Sequence, residues 1–359
     1  MRQVRHLFII ILQSVVFWVF AFCFFTVIRY YALGEEEGVV VEPAFDLPIA
    51  EWLHFGLIVG VLVGFFFGII EFLYDQFFSK LLPLLLSFLV KSFVYLVLLV
   101  ASTTILITIA EEQLDRDLPN DDGWWMDSNI FLLVVAYFWV SSIVFFLIKF
   151  TYERYDYNIF LNIFFGRYRS PKEEERIFMF LDLNDSTTIA EELGHFKYSQ
   201  LIRDFFNDLN KVMEPYRASI YQYVGDEAVI TWRYKHGLKN SDCVNLFFKF
   251  RDLIEKRQDH YMKKYNLVPG FKAGLHGGKV MVTEVGHSSV KKELAYHGDV
   301  INSTSRILSL CKSLSASLLI SSELWSQLPI TYIYEATEKD PILLKGKSEL
   351  TKTYALDLK

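Results

Sequence analysis

The chain has 359 residues, enough for two or three domains, which excludes a small disulfide-stabilised scaffold. Hydrophobic residues make up 52% and charged residues 22%, with 33 Phe, so intrinsic disorder is excluded and a membrane-embedded part is expected. Residues 1–150 carry 7 basic and 15 acidic groups and the remainder 29 and 27, and this lack of a basic stripe argues against a nucleic-acid-binding protein.

Four apolar segments fill the first part of the chain, at about 7–28, 53–73, 81–110 and 129–149. Each is long enough to cross roughly 30 Å of hydrocarbon as a helix. No small-residue cleavage site follows the first segment, so we interpret it as an anchor and not as a signal peptide. The pattern predicts an all-α transmembrane bundle of four spans over residues 1–150, a multi-pass protein of the cell (inner) membrane.

Charge around these segments predicts the orientation in the lipid bilayer. Arg2 and Arg5 precede the first segment, whereas acidic residues dominate the two loops predicted to lie outside, from Glu35 to Glu51 and from Glu111 to Asp122. Because basic residues favour the cytoplasmic side, we expect both termini and the C-terminal domain in the cytoplasm.

Two charged residues, Glu71 and Lys91, lie within the apolar segments. An unpaired charge in hydrocarbon is costly, so either both side chains extend to the inner surface or they form an ion pair that holds the second and third spans together. A transporter is disfavoured, because no corresponding pair of segments is interrupted by Gly and Pro.

Residues 151–175 are predicted to be a cytoplasmic linker. The segment begins amphipathic and ends in Pro171 and a run of mixed charge. Its apolar residues predict one face of a short helix, for which a dimer contact and a membrane-surface contact both remain open: Ile159, Phe160, Ile163 and Phe164.

From Arg176 onward, strand and helix patterns alternate. IFMFLDL predicts a central strand, and Ser186 and Thr187 are candidate N-caps of the helix that follows. SIYQYV and EAVITW predict a hairpin joined at Gly225 and Asp226. We further expect helices at 240–264 and 299–313, with FKAGLHGGKVMVTEVG between them as a pair of strands. This order predicts an α+β, ferredoxin-like core.

Two carboxylates, Asp182 and Asp226, are expected at the ends of adjacent strands. Such positions tolerate aspartate only when it is paired, hydrogen-bonded or bound to a cation, and convergent carboxylates suit Mg²⁺. The NDST sequence after Asp182 opens a helix whose amides can receive a phosphate. The alternative is structural, with Asp226 serving the turn and Asp182 capping the helix.

Four segments in register resemble the class III nucleotidyl cyclase catalytic domain, over residues 176–358: FLDLNDSTTIAEELG, YQYVGDEAVITW, FKAGLHGGKV and YHGDVINSTSRI. The resemblance implies a catalytic domain at 176–359 and a homodimer with active sites at the subunit interface. It also implies two Mg²⁺ or Mn²⁺ ions and attack of the ribose 3′-hydroxyl on the α-phosphate, with pyrophosphate leaving.

The resemblance also implies roles for individual residues. The metal ligands are Asp182, Asp226 and the carbonyl of Leu183, and the catalytic residues from the opposite subunit are Asn302 and Arg306. The phosphate-binding residues are Asn184, Asp185, Ser186, Thr187, Lys272 and Lys345, with Lys347 as an alternative to Lys345.

The base-reading positions by this resemblance are Gln222 and Ala295. Adenylate cyclases of the family usually have Lys and Asp there, and guanylate cyclases usually have Glu at the first position, so the chain fits neither pattern. We favour ATP, the commonest substrate among membrane-tethered bacterial relatives, and leave GTP or a pyrimidine triphosphate open. A catalytically silent receptor with a cyclase fold is the alternative to an enzyme.

Overall fold

The computed structural model describes residues 2–32, 48–77, 83–114, 129–154, 162–163, 165–287, 291–329, 332–343 and 350–359. The chain divides into two units, Met1–Tyr155 and Asp156–Lys359. The acidic segments at 33–47 and 115–128, and Ile159, Phe160 and Phe164 of the predicted linker helix, lie outside the described residues.

The first unit is helical. Its helices are α1 (Arg2–Ala32), α2 (Ile49–Phe77), α3 (Leu84–Leu114) and α4 (Asn129–Arg154). Within the described residues, two stretches are long and apolar enough to cross a membrane, Leu7–Ile28 and Trp52–Phe77, and shorter apolar stretches lie at Leu86–Leu98 and Val135–Lys149. Length and composition therefore support two of the four predicted spans.

A stripe of glycines on α2 brings it against α1. The glycines recur every fourth residue, at Gly56, Gly60, Gly64 and Gly68. A Cβ added at Gly60 would lie 2.5 Å from the Cα of Val19, and one at Gly64 would lie 2.6 Å from the Cα of Val15. Only glycine therefore permits so short a distance between the two helix backbones. Small residues at this spacing let membrane helices pack closely in the same way.

A buried ionic cluster joins α2, α3 and α4. Glu71 is 2% exposed, and its carboxylate accepts hydrogen bonds from Lys91 Nζ at 2.7 Å, from the Tyr95 hydroxyl and from Lys149 Nζ. Lys149 Nζ also donates to Asp75 Oδ2 at 2.6 Å. Of the two interpretations of Glu71 and Lys91, the ion pair is therefore the one found, and Lys149 of α4 extends it to a third helix.

We expect Glu71→Gln to lower the stability of the helical unit by about 3 kcal/mol, because breaking a buried ion pair leaves an uncompensated buried charge. Reversible unfolding of the full chain in detergent measures the change. Leu57→Ala, on an exposed position of the same helix, is the control and should change stability little. Equal stability of Glu71→Gln and the wild type would show that the cluster does not hold the helices together.

Within the described residues, the second unit is built on an eight-stranded sheet. Its strands are β1 (Lys172–Leu183), β2 (Ser219–Val224), β3 (Glu227–Arg233), β4 (Phe271–His287), β5 (Lys291–His297), β6 (Leu318–Ser321), β7 (Tyr334–Leu343) and β8 (Leu350–Leu358). Their order in the sheet is β2-β3-β1-β4-β6-β8-β7, with β5 paired to β4. Its α-helices are α5 (Ser186–Met213), α6 (Tyr234–Leu238), α7 (Asp242–Lys256), α8 (Gln258–Tyr265), α9 (Asp299–Ser313) and α10 (Ser322–Trp325). The antiparallel order β2-β3-β1-β4 confirms the predicted ferredoxin-like core.

Successive residues of β1 serve opposite faces of the sheet. Ile177, Met179 and Leu181 pack in one core with α5 and α7, whereas Phe178 and Phe180 pack in a second core with α9. This alternation follows from the two-residue period of a strand. It buries β1 on both faces from Arg176 to Leu181 and leaves Asp182, near the C-terminal end of the strand, half-buried.

Three sequence predictions for this unit need correction. FKAGLHGGKVMVTEVG lies in one strand, β4, because Gly277 and Gly278 pair with β1 inside the sheet and the strand continues to His287. The helix predicted at 240–264 is interrupted at Arg257 and forms α7 and α8. The predicted N-caps Ser186 and Thr187 lie inside α5, whose N-cap is Asp185 with no side-chain cap hydrogen bond.

Candidate active site

The end of β1 brings Asp182 opposite charged residues on both neighbouring strands. Asp182 pairs with Glu227 on β3 and with Lys272 on β4. Lys272 Nζ lies 2.5 Å from Asp182 Oδ2, with both side chains about one-fifth exposed. Sheet register therefore places a lysine and two carboxyl groups at one half-buried strand end.

The turn between β2 and β3 adds a third carboxyl group. Gly225 has φ +62°, a conformation that favours glycine, and Asp226 follows it directly. Burial raises the pKa of Asp182, the Lys272 ammonium opposes that rise, and the Asp226 carboxylate adds to it. Burial, together with Asp182 and Asp226, also raises the pKa of Glu227 to about 7. The strand ends therefore carry more negative charge than Lys272 balances.

This donor set fits a hard divalent cation. Carboxylate oxygens are the protein ligands that Mg²⁺ prefers, and it is usually held by one or two of them together with water and substrate phosphates. No group of three or more His, Cys, Asp or Glu side chains arranged to hold a metal occurs within the described residues. Asp182 and Asp226 would therefore hold the ion together with non-carboxylate oxygens, for which the Leu183 carbonyl is the adjacent candidate.

A cavity of about 520 Å³ opens beside Asp182 and contains the predicted phosphate loop. It is lined by Asp182, Leu183, Asn184, Asp185, Ser186, Thr187, Thr188, Lys272, Cys311, Lys312, Ser315, Ala316 and Ser317. The backbone amide of Asn184 donates to the Gly270 carbonyl at 2.9 Å, which ties the loop to the residue before β4. The structure thus gathers all predicted phosphate-binding residues that it describes around one cavity.

Asn302 and Arg306 are not part of this cavity within one chain. Both lie on α9, where Asn302 is exposed and Arg306 is half-buried, and neither lines the cavity. Their predicted role from the opposite subunit stays a prediction.

The predicted base-reading residues lie on other strands. Gln222 is exposed on β2, next to a register shift after Ile220, and Ala295 is half-buried on β5 opposite Thr283. Neither lines the cavity. Lys345 and Lys347 lie outside the described residues.

Sequence reasoning missed two charged residues of the site. Glu227 follows Asp226 directly and is the first residue of β3. The antiparallel pairing of β3 with β1, which places Glu227 opposite Asp182, was the signal that could have identified it. Lys312 lies near the end of α9, five residues beyond the YHGDVINSTSRI motif, and only the tertiary structure reveals that it lines the cavity.

Comparison with known proteins identifies the second unit. The family described as "Adenylate and Guanylate cyclase catalytic domain" matches residues 169–357. Because this match covers more than half of the chain, the chain belongs to that family. This confirms the predicted class of catalytic domain.

Individual relatives agree with the family. "Adenylate cyclase 2" of Rhizobium meliloti (strain 1021) is 34% identical over 192 residues, which are 54% of this chain and 52% of that protein. The chain thus aligns with about half the length of this curated relative. Among solved structures, a bacterial light-regulated adenylyl cyclase matches with TM-score 0.53 and 14% identity over 64% of this chain and 66% of the other, a likeness of fold. The adenylyl cyclase CyaB from P. aeruginosa has TM-score 0.46 and 20% identity over 53% and 97%.

The raised pKa of Glu227 predicts a pH dependence of stability without divalent metal. The folded state disfavours the ionised form of this carboxyl group. The contribution of the protonated group to the free energy of unfolding is therefore fully present below the unfolded pKa near 4.5 and is lost as the pH rises through about 7. In EDTA, the temperature at the midpoint of thermal unfolding of the second unit should decrease as the pH is raised from 5 to 8. The decrease should be smaller in Glu227→Gln than in the wild type. Equal slopes for the two proteins would contradict this assignment.

Proposed function

We propose that this chain is a membrane-bound nucleotidyl cyclase that converts ATP to 3′,5′-cyclic AMP and pyrophosphate at a homodimer interface, for intracellular signalling. One observation carries the proposal: Asp182 and Asp226 converge at a half-buried strand end beside a loop and a lysine suited to a triphosphate. Family membership and the relative named adenylate cyclase support it.

The residues divide the work of an in-line displacement at phosphorus. Two Mg²⁺ or Mn²⁺ ions, when bound, would activate the ribose 3′-hydroxyl and offset charge on the phosphates. Asp182 and Asp226 hold these ions with the Leu183 carbonyl. Asn184 to Thr187 and Lys272 bind the phosphates, with Lys345 or Lys347 as a further cation.

The transition state gains negative charge, which a positioned cation stabilises. Arg306 of the opposite subunit supplies that cation in this proposal, and Asn302 orients the ribose. The absence of both residues from the cavity of one chain is what a composite site requires.

The N-terminal unit serves as a membrane anchor and sensor in this proposal. Residues 1–150 form four spans in the lipid bilayer of the cell membrane, and residues 151–175 link them to a cytoplasmic catalytic domain at 176–359. The two apolar helices and the ionic cluster on α2, α3 and α4 support a membrane bundle. Lys149 bears most directly on signalling, because it lies on the helix that continues into the linker.

Base choice rests on Gln222. An amide can donate to and accept from a base edge, whereas Ala295 offers no polar side-chain group. Because the residues depart from both usual patterns, GTP or a pyrimidine triphosphate is the second candidate substrate.

We expect Gln222→Ala to lower discrimination among nucleoside triphosphates about tenfold, because a site that reads a base by hydrogen bonds leaves polar groups unpaired with the wrong one. Ala295→Gly should change discrimination little. The measurement is kcat/KM for ATP, GTP, CTP and UTP, with products identified by mass. Unchanged ratios in Gln222→Ala would mean that other groups read the base.

That experiment also tests the proposed function in the wild type. Cyclic AMP as the main product supports the proposed function. If another cyclic nucleotide is the main product, the corresponding triphosphate is the substrate instead of ATP. Absence of any cyclic product, with Mg²⁺ or Mn²⁺ present and the protein folded, would contradict cyclase activity.

A further inference from the structure

The C-terminal end of α9 lies beside the phosphate loop and presents a lysine to it. Lys312 Nζ is 3.6 Å from Asp185 Oδ1, and the Lys312 side chain is 85% exposed. Lys312 lines the same cavity as Lys272. The cavity is therefore flanked by two cations, one from β4 and one from α9.

Hydrogen bonds fix the backbone around Lys312 relative to the site. The Cys311 thiol donates to the Ala273 carbonyl at 3.4 Å, and the Ala273 amide donates to the Ser317 carbonyl at 2.8 Å. Between these contacts, the Ala316 amide donates to the Cys311 carbonyl at 2.9 Å. The segment that carries Lys312 is thus tied to the residue that directly follows Lys272.

The charges of the cavity call for a second cation beside Lys272. Lys272 is engaged by Asp182 at 2.5 Å. The backbone amides of the loop can bind phosphate, but the Asp185 side chain adds a carboxylate there that repels phosphate oxygens, and the C-terminal end of a helix adds partial negative charge. A polyphosphate at this end of the cavity therefore needs a cation, and Lys312 is in position.

We propose that Lys312 binds the terminal phosphates of the triphosphate substrate and contacts them directly. A lysine is suited to this place, because its ammonium is a compact charge on a flexible stem that can follow a mobile, solvated group. The inference rests on the proposed function, since that function supplies the triphosphate.

Lys312→Gln, Lys312→Arg and the control Lys352→Gln test the proposal in the full-length chain. Lys352 is also an exposed lysine, with its side chain 56% exposed, pairs with Glu338 at 3.4 Å and does not line the cavity. The probe is inorganic tripolyphosphate with Mg²⁺, titrated calorimetrically, and KM and kcat for ATP are measured in parallel.

We expect Lys312→Gln to weaken tripolyphosphate binding about fivefold and to raise KM for ATP about fivefold, because an exposed lysine–phosphate pair contributes as little energy as an exposed ion pair. The value of kcat should be nearly unchanged. Lys312→Arg should restore binding, and Lys352→Gln should match the wild type. Unaltered tripolyphosphate affinity and KM in Lys312→Gln would overturn the proposal.

The double variant Asp185→Asn with Lys312→Gln separates direct contact from mere neutralisation of Asp185. If Lys312 contacts the phosphates directly, the double variant should recover only part of the tripolyphosphate affinity that Lys312→Gln loses. Full recovery to wild-type affinity would overturn the proposal. Failure of the wild-type protein to turn over any triphosphate would instead refute the proposed function, and the role of Lys312 with it. The two failures are thus distinguishable.

Discussion

Asp182→Ala and Asp226→Ala should each abolish cyclic nucleotide formation. Each substitution removes one of the two carboxylates proposed to hold the ions that stabilise the transition state, and loss of one such group costs about 10² to 10³ in rate. Neither aspartate is a core residue, so the domain should stay folded. Initial rates with saturating ATP and Mg²⁺, together with thermal unfolding of each variant, provide the measurement.

The matched control is Asp259→Ala, which removes an exposed aspartate from α8. It should leave the rate unchanged. Retention of more than about a tenth of wild-type activity in either Asp182→Ala or Asp226→Ala would refute the assignment of that aspartate to the metal site.

Co-expression of Asp182→Ala and Arg306→Ala chains should restore activity that each variant lacks alone. If each site takes Asp182 from one subunit and Arg306 from the other, a mixed dimer contains one intact site and one site that lacks both groups. Random pairing makes half of the dimers mixed, so about a quarter of wild-type activity is expected. Two affinity tags allow the mixed dimer to be purified and assayed directly.

Co-expression of Asp182→Ala with Asp226→Ala chains is the control. Both aspartates belong to one chain's site, because the Asp226 carboxylate acts on the pKa of Asp182 within one chain. This pair should therefore restore nothing. Inactive mixed dimers of Asp182→Ala with Arg306→Ala would place all groups in one subunit and reject the interface site.

Features encoded by local chemistry were predictable from the sequence. The Gly225 and Asp226 turn joins β2 and β3 as expected, because glycine permits the positive φ. Helix α9 matches the prediction of 299–313, since its apolar spacing is clear. Asp182 and Asp226 were expected at adjacent strand ends once the hairpin was predicted, whereas Lys272 was implied by the family resemblance and the register of β4 places it opposite Asp182.

Features that depend on tertiary contacts were not predictable. FKAGLHGGKVMVTEVG was predicted to be two strands, yet Gly277 stays inside the single strand β4, where an added Cβ would lie 2.8 Å from the Tyr234 ring. Lys149 was assigned no partner, because its pairing with Glu71 and Asp75 crosses more than 70 residues. Gly194 is a local exception: at φ +70° it divides α5 inside a pattern that predicted a continuous helix.

We propose that this chain makes a cyclic nucleotide and pyrophosphate in one displacement. The most direct measurement is the stoichiometry of the two products formed from ATP by the full-length protein in lipid nanodiscs with Mg²⁺. Equal amounts of 3′,5′-cyclic AMP and pyrophosphate, both lost in EDTA and in Asp182→Ala, are expected. Release of orthophosphate without a cyclic product, or no turnover of any triphosphate by folded protein, would contradict the claim.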